Sequence, residues 1–341
     1  MSVRAAQRLL HEAANALAQP FGMDGAALMR ERSAILGIAH DGTVSAGGTC
    51  QLLPAGDGRW LALNLARASD VELLAAWMRH EWDGPEWDAV AAHLLTVNAA
   101  DAVDRAQMLG IPAAVAVAPN PDLEATHVTV GALRTFGATP VVIDLSALWA
   151  GPLCARLLGA RGARVIKAEL VGRPDGARAG DPVFWQRLNG GKEERVVDHS
   201  ALGDLVEAAD VVITSARARA LEQLGLDLER RVHADGLVWV AITGYGLASK
   251  WRERVAFGDD AAVAGGLAVA AGGEDAPVFV GDAPADPLAG LAAASAAADV
   301  VESGYGAVVD VSMQGCVAAA LTGSKDGSLY ARSRLAEQEL V

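Results

Sequence analysis

From Pro140 onward, short runs rich in Val and Ile alternate with stretches of helical periodicity: VVIDLS, LCARLLGARG, RVIKAEL, RVVDHS, LGDLVEAA, DVVIT, ARALEQLG and LVWVAIT. Apolar runs this short, separated by helices of about 8 to 15 residues, specify βαβ units and a mostly parallel sheet. An Ala-rich helix over Leu288–Val301, a strand over Ala307–Val311 and a helix from near Met313 extend the pattern. The fold class expected is therefore α/β, a mostly parallel sheet with flanking helices. Ligands of such sheets bind at the carboxyl ends of the strands, so the loops after Leu145, Glu169, Thr214 and Thr243 are where chemistry is expected.

The first ~130 residues read differently, as helices around one strand-like stretch, Arg59–Asn64, after the turn Gly56-Asp57-Gly58. A Pro-rich, polar linker at Ala118-Pro119-Asn120-Pro121-Asp122 separates the two styles. The expected organisation is a small α+β domain over residues 1–130, placed N-terminally, and a large domain over 138–341.

Composition narrows the function. A formal net charge of -14 argues against a sequence-independent grip on nucleic acid, which depends on clustered Lys and Arg. Cys50, Cys154 and Cys316 are odd in number and far apart, giving neither a disulfide framework nor a CxxC metal site, and a reducing, cytoplasmic compartment fits. The N-terminal stretch carries Arg4, Arg8, His11 and Glu12 at helical spacing and reads as an amphipathic helix rather than a signal peptide. Apolar segments such as Ala261–Ala271 are shorter than the ~20 residues of a membrane span.

Several features carry chemistry and a bland alternative together. Ala150-Gly151-Pro152 opens a helix after a strand, where free backbone N–H groups suit an anion or simply start the helix. Arg173 and Arg178, in the loop after Glu169, with Lys192 nearby, form a phosphate clamp or a solvated surface. Asp286-Pro287 is a standard opening for a helix, and a carboxylate there is also oriented as a nucleophile must be. Asp259 and Asp260 lack neighbouring His or Glu ligands, which favours a structural role over a metal site. No GxGxxG, Walker, HxxxH or GxSxG pattern is present.

The combination VVIDLSALWAGP (141–152), Leu157-Leu158, GARVIKAE (162–169) and Asn189-x-Gly191-Lys192 resembles the opening of the class III CoA-transferases, a family that includes the 2-methylacyl-CoA racemases. Asp210–Ile213 with Leu224-Gly225, Ile242–Gly246, Ala285–Leu291 and Val309–Met313 follow in that family's order, so the resemblance spans roughly 138 to 320. It implies a Rossmann-like CoA domain, a catalytic aspartate at Asp286, and acyl-CoA and a carboxylic acid as substrates with no permanently bound cofactor and no metal. Among the residues flanking the strands it points to Trp149, Ala150, Arg173, Arg178, Ser215, Ala216 and Tyr245 as contacts to CoA. A homodimer is also implied.

The order of parts departs from the family. Residues 1 to 130 resemble its small domain placed first, with Ser45-Ala46-Gly47-Gly48 similar to a flexible glycine loop that closes over the intermediate, so the chain reads as circularly permuted. The racemases use a histidine before the motif aspartate, whereas Val255–Ala261 contains none; racemisation stays an alternative only if Asp259 substitutes. A CoA-binding protein without catalysis is the other alternative. Trp149 stands where many transferases have glutamine, and Leu170 where an arginine often follows.

Overall fold

The computed structural model describes residues 1–40 and 42–323. Its larger sheet is built of seven strands: β4 (Thr126–Leu133), β5 (Val141–Asp144), β6 (Arg164–Leu170), β7 (Glu193–Val197), β8 (Val211–Thr214), β9 (Val238–Thr243) and β10 (Tyr305–Ser312). A separate small antiparallel sheet contains β1 (Cys50–Pro54), β2 (Trp60–Asn64) and β3 (Ala113–Val115), in that order.

The large sheet runs β4-β10-β9-β8-β5-β6-β7, with every pairing parallel except β4 against β10. Counted from β5, its parallel part has the order 3-2-1-4-5-6 of a doubly wound sheet, and the order reverses between β5 and β8. Strands β8 and β9 are buried along their whole length, which is why they read as unbroken apolar runs. The edge strand β7 instead carries Glu193, Glu194 and Arg195 and is largely exposed, a protection against pairing with other chains.

Every strand expected between Pro140 and Thr243 is present, and the expected helices occupy Ala150–Ala160, His199–Glu207, Ala218–Gln223, Ala285–Ser303 and Met313–Thr322. The stretch 324–341 of the expected large domain lies outside the described residues.

Two elements assigned by sequence to the small N-terminal unit pack elsewhere. The Val3–Ala18 helix buries Ala6, Leu10, Ala14 and Leu17 in one cluster with Leu288, Leu291 and Val317 of the large unit. Its stripe at spacings of three and four gave the helix but not its partner; each buried Leu contributes roughly 1.5–3 kcal/mol to that docking. Residues 126–133, which straddle the expected end of the small domain at 130, form β4 of the large sheet instead. This strand pairs with one neighbour and is only half-buried, so its THVTVGAL sequence lacks the apolar run of a central strand. The small unit's own core is narrower, with Leu61, Leu63, Trp77, Val90, Leu94, Val103 and Ile111 between the small sheet and its helices.

Candidate active site

Asp286 is the second residue of the Ala285–Ser303 helix. That helix is apolar on nearly all sides, and its Ala and Gly residues allow close packing: a methyl group on Gly290 would strike the Ala150 carbonyl of the facing helix. Because the helix leads directly into β10, its first turn lies at the carboxyl end of the parallel strands, the end at which such sheets bind ligands.

Asp286 does not stand alone. Asp259 and Asp260 open the Gly258–Ala264 helix, and Asp282 lies in the turn before Asp286; all three are buried. Gly258 leaves the space the Asp286 carboxylate occupies, since a methyl group there would collide with its Oδ2 and with the Ala283 carbonyl. The Ala283 N–H donates to Asp259 Oδ1 at 3.0 Å, and the Asp286 N–H donates to the Ala283 carbonyl at 3.0 Å. Ala283 itself has φ 42, a left-handed conformation that costs energy for a residue with a Cβ.

The remaining parts come from the N-terminal third. Arg32 donates through Nε to Asp282 Oδ2 at 2.8 Å and through Nη2 to Asp282 Oδ1, a bidentate pair. Its guanidinium lies 5.4 Å from the centre of the Trp149 ring. The Ser45–Gly48 turn closes through a Gly48 N–H to Ser45 carbonyl bond of 2.9 Å, with Gly48 at φ 76, where a side chain would be strained. A Cβ on Gly47 would sit 3.5 Å from Arg32 Nη2, and the Ser45 hydroxyl bonds Asp259. Asn64, at the end of β2, donates to Asp260 Oδ1 at 3.0 Å and accepts from Thr49 Oγ1 at 3.1 Å.

One arginine among four carboxylates leaves the site short of positive charge. Burial, reinforced by Asp259, Asp260 and Asp282 and opposed by Arg32, pushes the Asp286 carboxyl up to about 7. Burial and Asp282 raise Asp259 to about 6, against Arg32 and the two hydrogen bonds it accepts. Asp260 rises to about 7 through burial, despite its bonds from Asn64 and the Phe257 N–H. Carboxyls held this far above their ordinary range sit where proton transfer and nucleophilic attack are both accessible near neutral pH.

The residues expected to contact CoA fall into three groups. Ser215 accepts a hydrogen bond from the Ala147 N–H at 3.0 Å, tying the loop after β8 to the loop after β5 across the point where strand order reverses. Trp149 and Ala150 lie just beyond, buried, with Trp149 edge-on to Phe184 at 5.2 Å and its indole N–H without a partner among the described residues. Ala216 packs half-buried on the sheet's apolar face. The loop after β6 joins this group, because Asp175 Oδ1 accepts from the Leu148 N–H at 2.9 Å.

The two arginines of that loop differ. Arg173 is exposed, whereas the Arg178 guanidinium bonds both Glu169 oxygens at 2.9 Å and Glu194 at 2.6 Å while lying 4.2 Å from the Trp185 ring centre. Tyr245 sits apart from both, buried after β9 beside a cavity of about 540 Å³ that Trp251, Asp310 and Gln314 also line. Lys192 is no phosphate ligand here: its ammonium is spent on Asp144 Oδ2 (2.8 Å), Asn189 Oδ1 (2.8 Å) and the Pro152 carbonyl (2.9 Å).

Arg32, Asn64 and Asp282 complete the site without having been singled out by sequence. Arg32 lies in an Arg-Glu-Arg run that reads as a solvated helix face, and its partner is 250 residues away. No local signal marks such a pair.

The order and direction of the strands define a doubly wound α/β protein. The sequence profile of CoA-transferase family III matches residues 140–331, more than half the chain, and the chain belongs to that family. It is 32% identical over 190 residues to the succinyl-CoA:D-citramalate CoA-transferase of Chloroflexus aurantiacus, covering 50% of this chain and 47% of the relative. Against the (R)-2-hydroxy-4-methylpentanoate CoA-transferase of Clostridioides difficile it is 29% identical over 168 residues, 44% of this chain and 41% of the other. The structure of a CAIB/BAIF family protein from Brucella suis aligns with TM-score 0.48 and 24% identity, over 57% of this chain and 56% of that one. The chain spans about half the length of the curated relatives it matches.

Proposed function

We propose that the protein transfers CoA from an acyl-CoA to a free carboxylic acid, with Asp286 as the nucleophile. The observation that carries this reading is the Asp286 carboxyl itself: half-buried at the start of a helix, given room by Gly258, and held at about 7 by burial and three neighbouring acids.

In the proposed cycle the ionised Asp286 attacks the thioester carbonyl of the donor, the C–S bond breaks, and CoA leaves as thiolate from an acyl-aspartyl anhydride. The thiolate then attacks the aspartyl carbonyl, releasing the donor acid and leaving an aspartyl-CoA thioester. The acceptor carboxylate attacks that thioester and expels CoA thiolate to give a second anhydride. Attack of the thiolate on the acceptor's acyl carbon forms the new thioester and restores the carboxylate. Every step exchanges one acyl bond for another, so the relay needs no oxidant or hydrolytic water. The backbone N–H groups of the Ser45–Gly48 turn are read as the donors that meet the charge developing in these steps, and preorganised donors at such a place lower the barrier most.

CoA is proposed to enter the crevice marked by Ala147–Ala150, Ser215 and Ala216, with Arg173 at its mouth. The small sheet and the Ser45–Gly48 turn are read as the family's small domain preceding the large one in a permuted order. That reading is supported by the way Ser45 and Asn64 reach Asp259 and Asp260. The names of the relatives make succinyl-CoA and a hydroxy acid the first donor and acceptor to try.

The test is mass spectrometry of the intact protein and its peptides after mixing with succinyl-CoA and other acyl-CoAs, with hydroxylamine or borohydride added to trap the intermediate. A mass change on the Asp286 peptide, absent in Asp286→Asn, is the expected result, with turnover in the variant lower by at least about a thousandfold. An unmodified peptide throughout active turnover would sink the nucleophile assignment. Deuterium uptake at the donor's α-carbon without an acceptor acid would instead indicate racemisation, with Asp259 and Asp286 as the acid and base.

A further inference from the structure

The short helix Glu31–Leu36 lies far from Asp286 in sequence and belongs to no part of the proposed relay, yet two adjacent residues of opposite charge lock it onto the large unit. Glu31 accepts from Arg156 at 2.7 Å and lies 3.5 Å from Arg187, while Arg32 grips Asp282 with two parallel bonds. Asp282 and Asp286 belong to one turn, and that turn is fixed from two sides: Arg32 holds Asp282, and Asp259 holds the Ala283 N–H. The left-handed Ala283 lies between these two anchors, so the turn depends on them for its shape. Arg32 also flanks the glycine turn at Gly47 and lies against the Trp149 ring, which places one guanidinium between the candidate nucleophile, the candidate closing loop and the start of the proposed CoA path.

We propose that Arg32 is a positioning residue for Asp286, clamping the Asp282–Asp286 turn and holding a positive charge beside the nucleophile, next to the Ser45–Gly48 turn. The role rests on the reading of Asp286 as nucleophile. The charged groups facing Asp286 are Arg32, Asp259 and Asp260 from the Gly258–Ala264 helix, and Asp282 from its own turn. Arg32 is the only cation among them, and its pull is stronger than the push of any one of the acids. Its own guanidinium is held charged by Asp282 even against burial.

The experiment is a carbon-13 NMR titration of protein labelled at aspartate carboxyls, with Asp286 assigned by the resonance lost in Asp286→Asn. In Arg32→Gln the Asp286 midpoint is expected to rise by about one pH unit, cutting its ionised fraction at pH 7 roughly fivefold. Adduct formation should fall by a similar factor at pH 7 and recover at higher pH, while Arg32→Lys, which keeps the charge, titrates near the parent. Should Arg32→Gln leave Asp282 too exposed to an unpaired charge to fold, Arg32→Gln/Asp282→Asn removes both partners. It should still raise the midpoint, because the pull of Arg32 exceeds the push of Asp282. An Asp286 midpoint unchanged in both variants overturns the proposal. The titration needs no turnover, so a parent protein that forms no adduct defeats the nucleophile reading, while the Asp286 midpoint still decides the role of Arg32.

Discussion

Two groups of buried charge lie at the carboxyl end of the same sheet, and they are built to opposite plans. Beneath the loops after β5 and β6, Asp144 is bonded by Lys192 at 2.8 Å and by Ser146, and Lys167 lies 4.0 Å from Asp144 and 2.9 Å from Asp175. Burial alone would raise Asp144, but Lys167 and Lys192 hold it below its ordinary range; burial would lower Lys167, but Asp144 and Asp175 hold it above. At the start of the Ala285–Ser303 helix, four acids share one arginine, and three of them titrate near neutrality. A charge whose partners are all in place holds loops in position and has no capacity left for a ligand. A charge kept short of partners is strained toward a change of protonation or of bonding, which is what a nucleophile and its surroundings require.

Breaking the satisfied group should have the largest effect on stability. Asp144→Ala leaves Lys192 and Lys167 buried with one partner fewer each, and the unfolding free energy is expected to fall by roughly 3–5 kcal/mol. Urea unfolding followed by circular dichroism checks this. A loss below about 1 kcal/mol would mean that water or rearranged carbonyls replace the carboxylate, and the contrast with the second group would collapse.

The unsatisfied group should respond with the opposite sign. Asp260 lies near 4 in an unfolded chain and at about 7 when folded, so between those values the folded protein binds the extra proton. Stability therefore falls as pH rises from ~4 to ~7, and the full penalty is present above that window. Asp260→Asn keeps an oxygen for the Asn64 and Phe257 donors and removes the charge, and it is expected to stabilise the protein at pH 8 by about 1–3 kcal/mol. The gain should vanish toward pH 4, where the acid is neutral in both states. Thermal unfolding across that range reads it, and destabilisation at pH 8 would show that the carboxylate is better solvated than its neighbours imply.

This contrast was only partly legible in the sequence. The strands of the parallel sheet announced themselves because burial on both faces demands continuous apolar runs, as in Val211–Thr214 and Val238–Thr243. Asp286 was singled out through a helix opening and a family pattern, both local. Edge strand β4 was missed because one neighbour and half-burial place little demand on sequence, and the docking of Val3–Ala18 because a stripe does not name its partner. Arg32 and Asp282, or Asn64 and Asp260, are pairs nearly two hundred or more residues apart, whose meaning arises only when the fold brings opposite charges or a donor and acceptor together. Asp259 and Asp260 looked ordinary for the same reason: nothing in FGDD shows that both will be buried beside a third and fourth acid.

The smallest expected effect separates the two arginines that sequence treated alike. Arg178 stacks on Trp185 with its guanidinium divided between Glu169 and Glu194, so its charge is answered within the protein, whereas Arg173 is exposed with no ion pair to another described residue. A phosphate of CoA at the crevice mouth would have to compete with two carboxylates for Arg178 and only with water for Arg173. Arg173→Gln should therefore weaken CoA binding about threefold in low salt, with the difference fading as added salt screens the charge. Arg178→Gln should leave affinity within about twofold and cost ~1 kcal/mol or less in stability, as a partly exposed pair does. Isothermal titration calorimetry at two salt concentrations distinguishes them. If Arg178→Gln weakened binding more than Arg173→Gln, the rule drawn from the two groups of charge would fail at its simplest point, because an ion-paired arginine would then be releasing its carboxylates to serve the ligand.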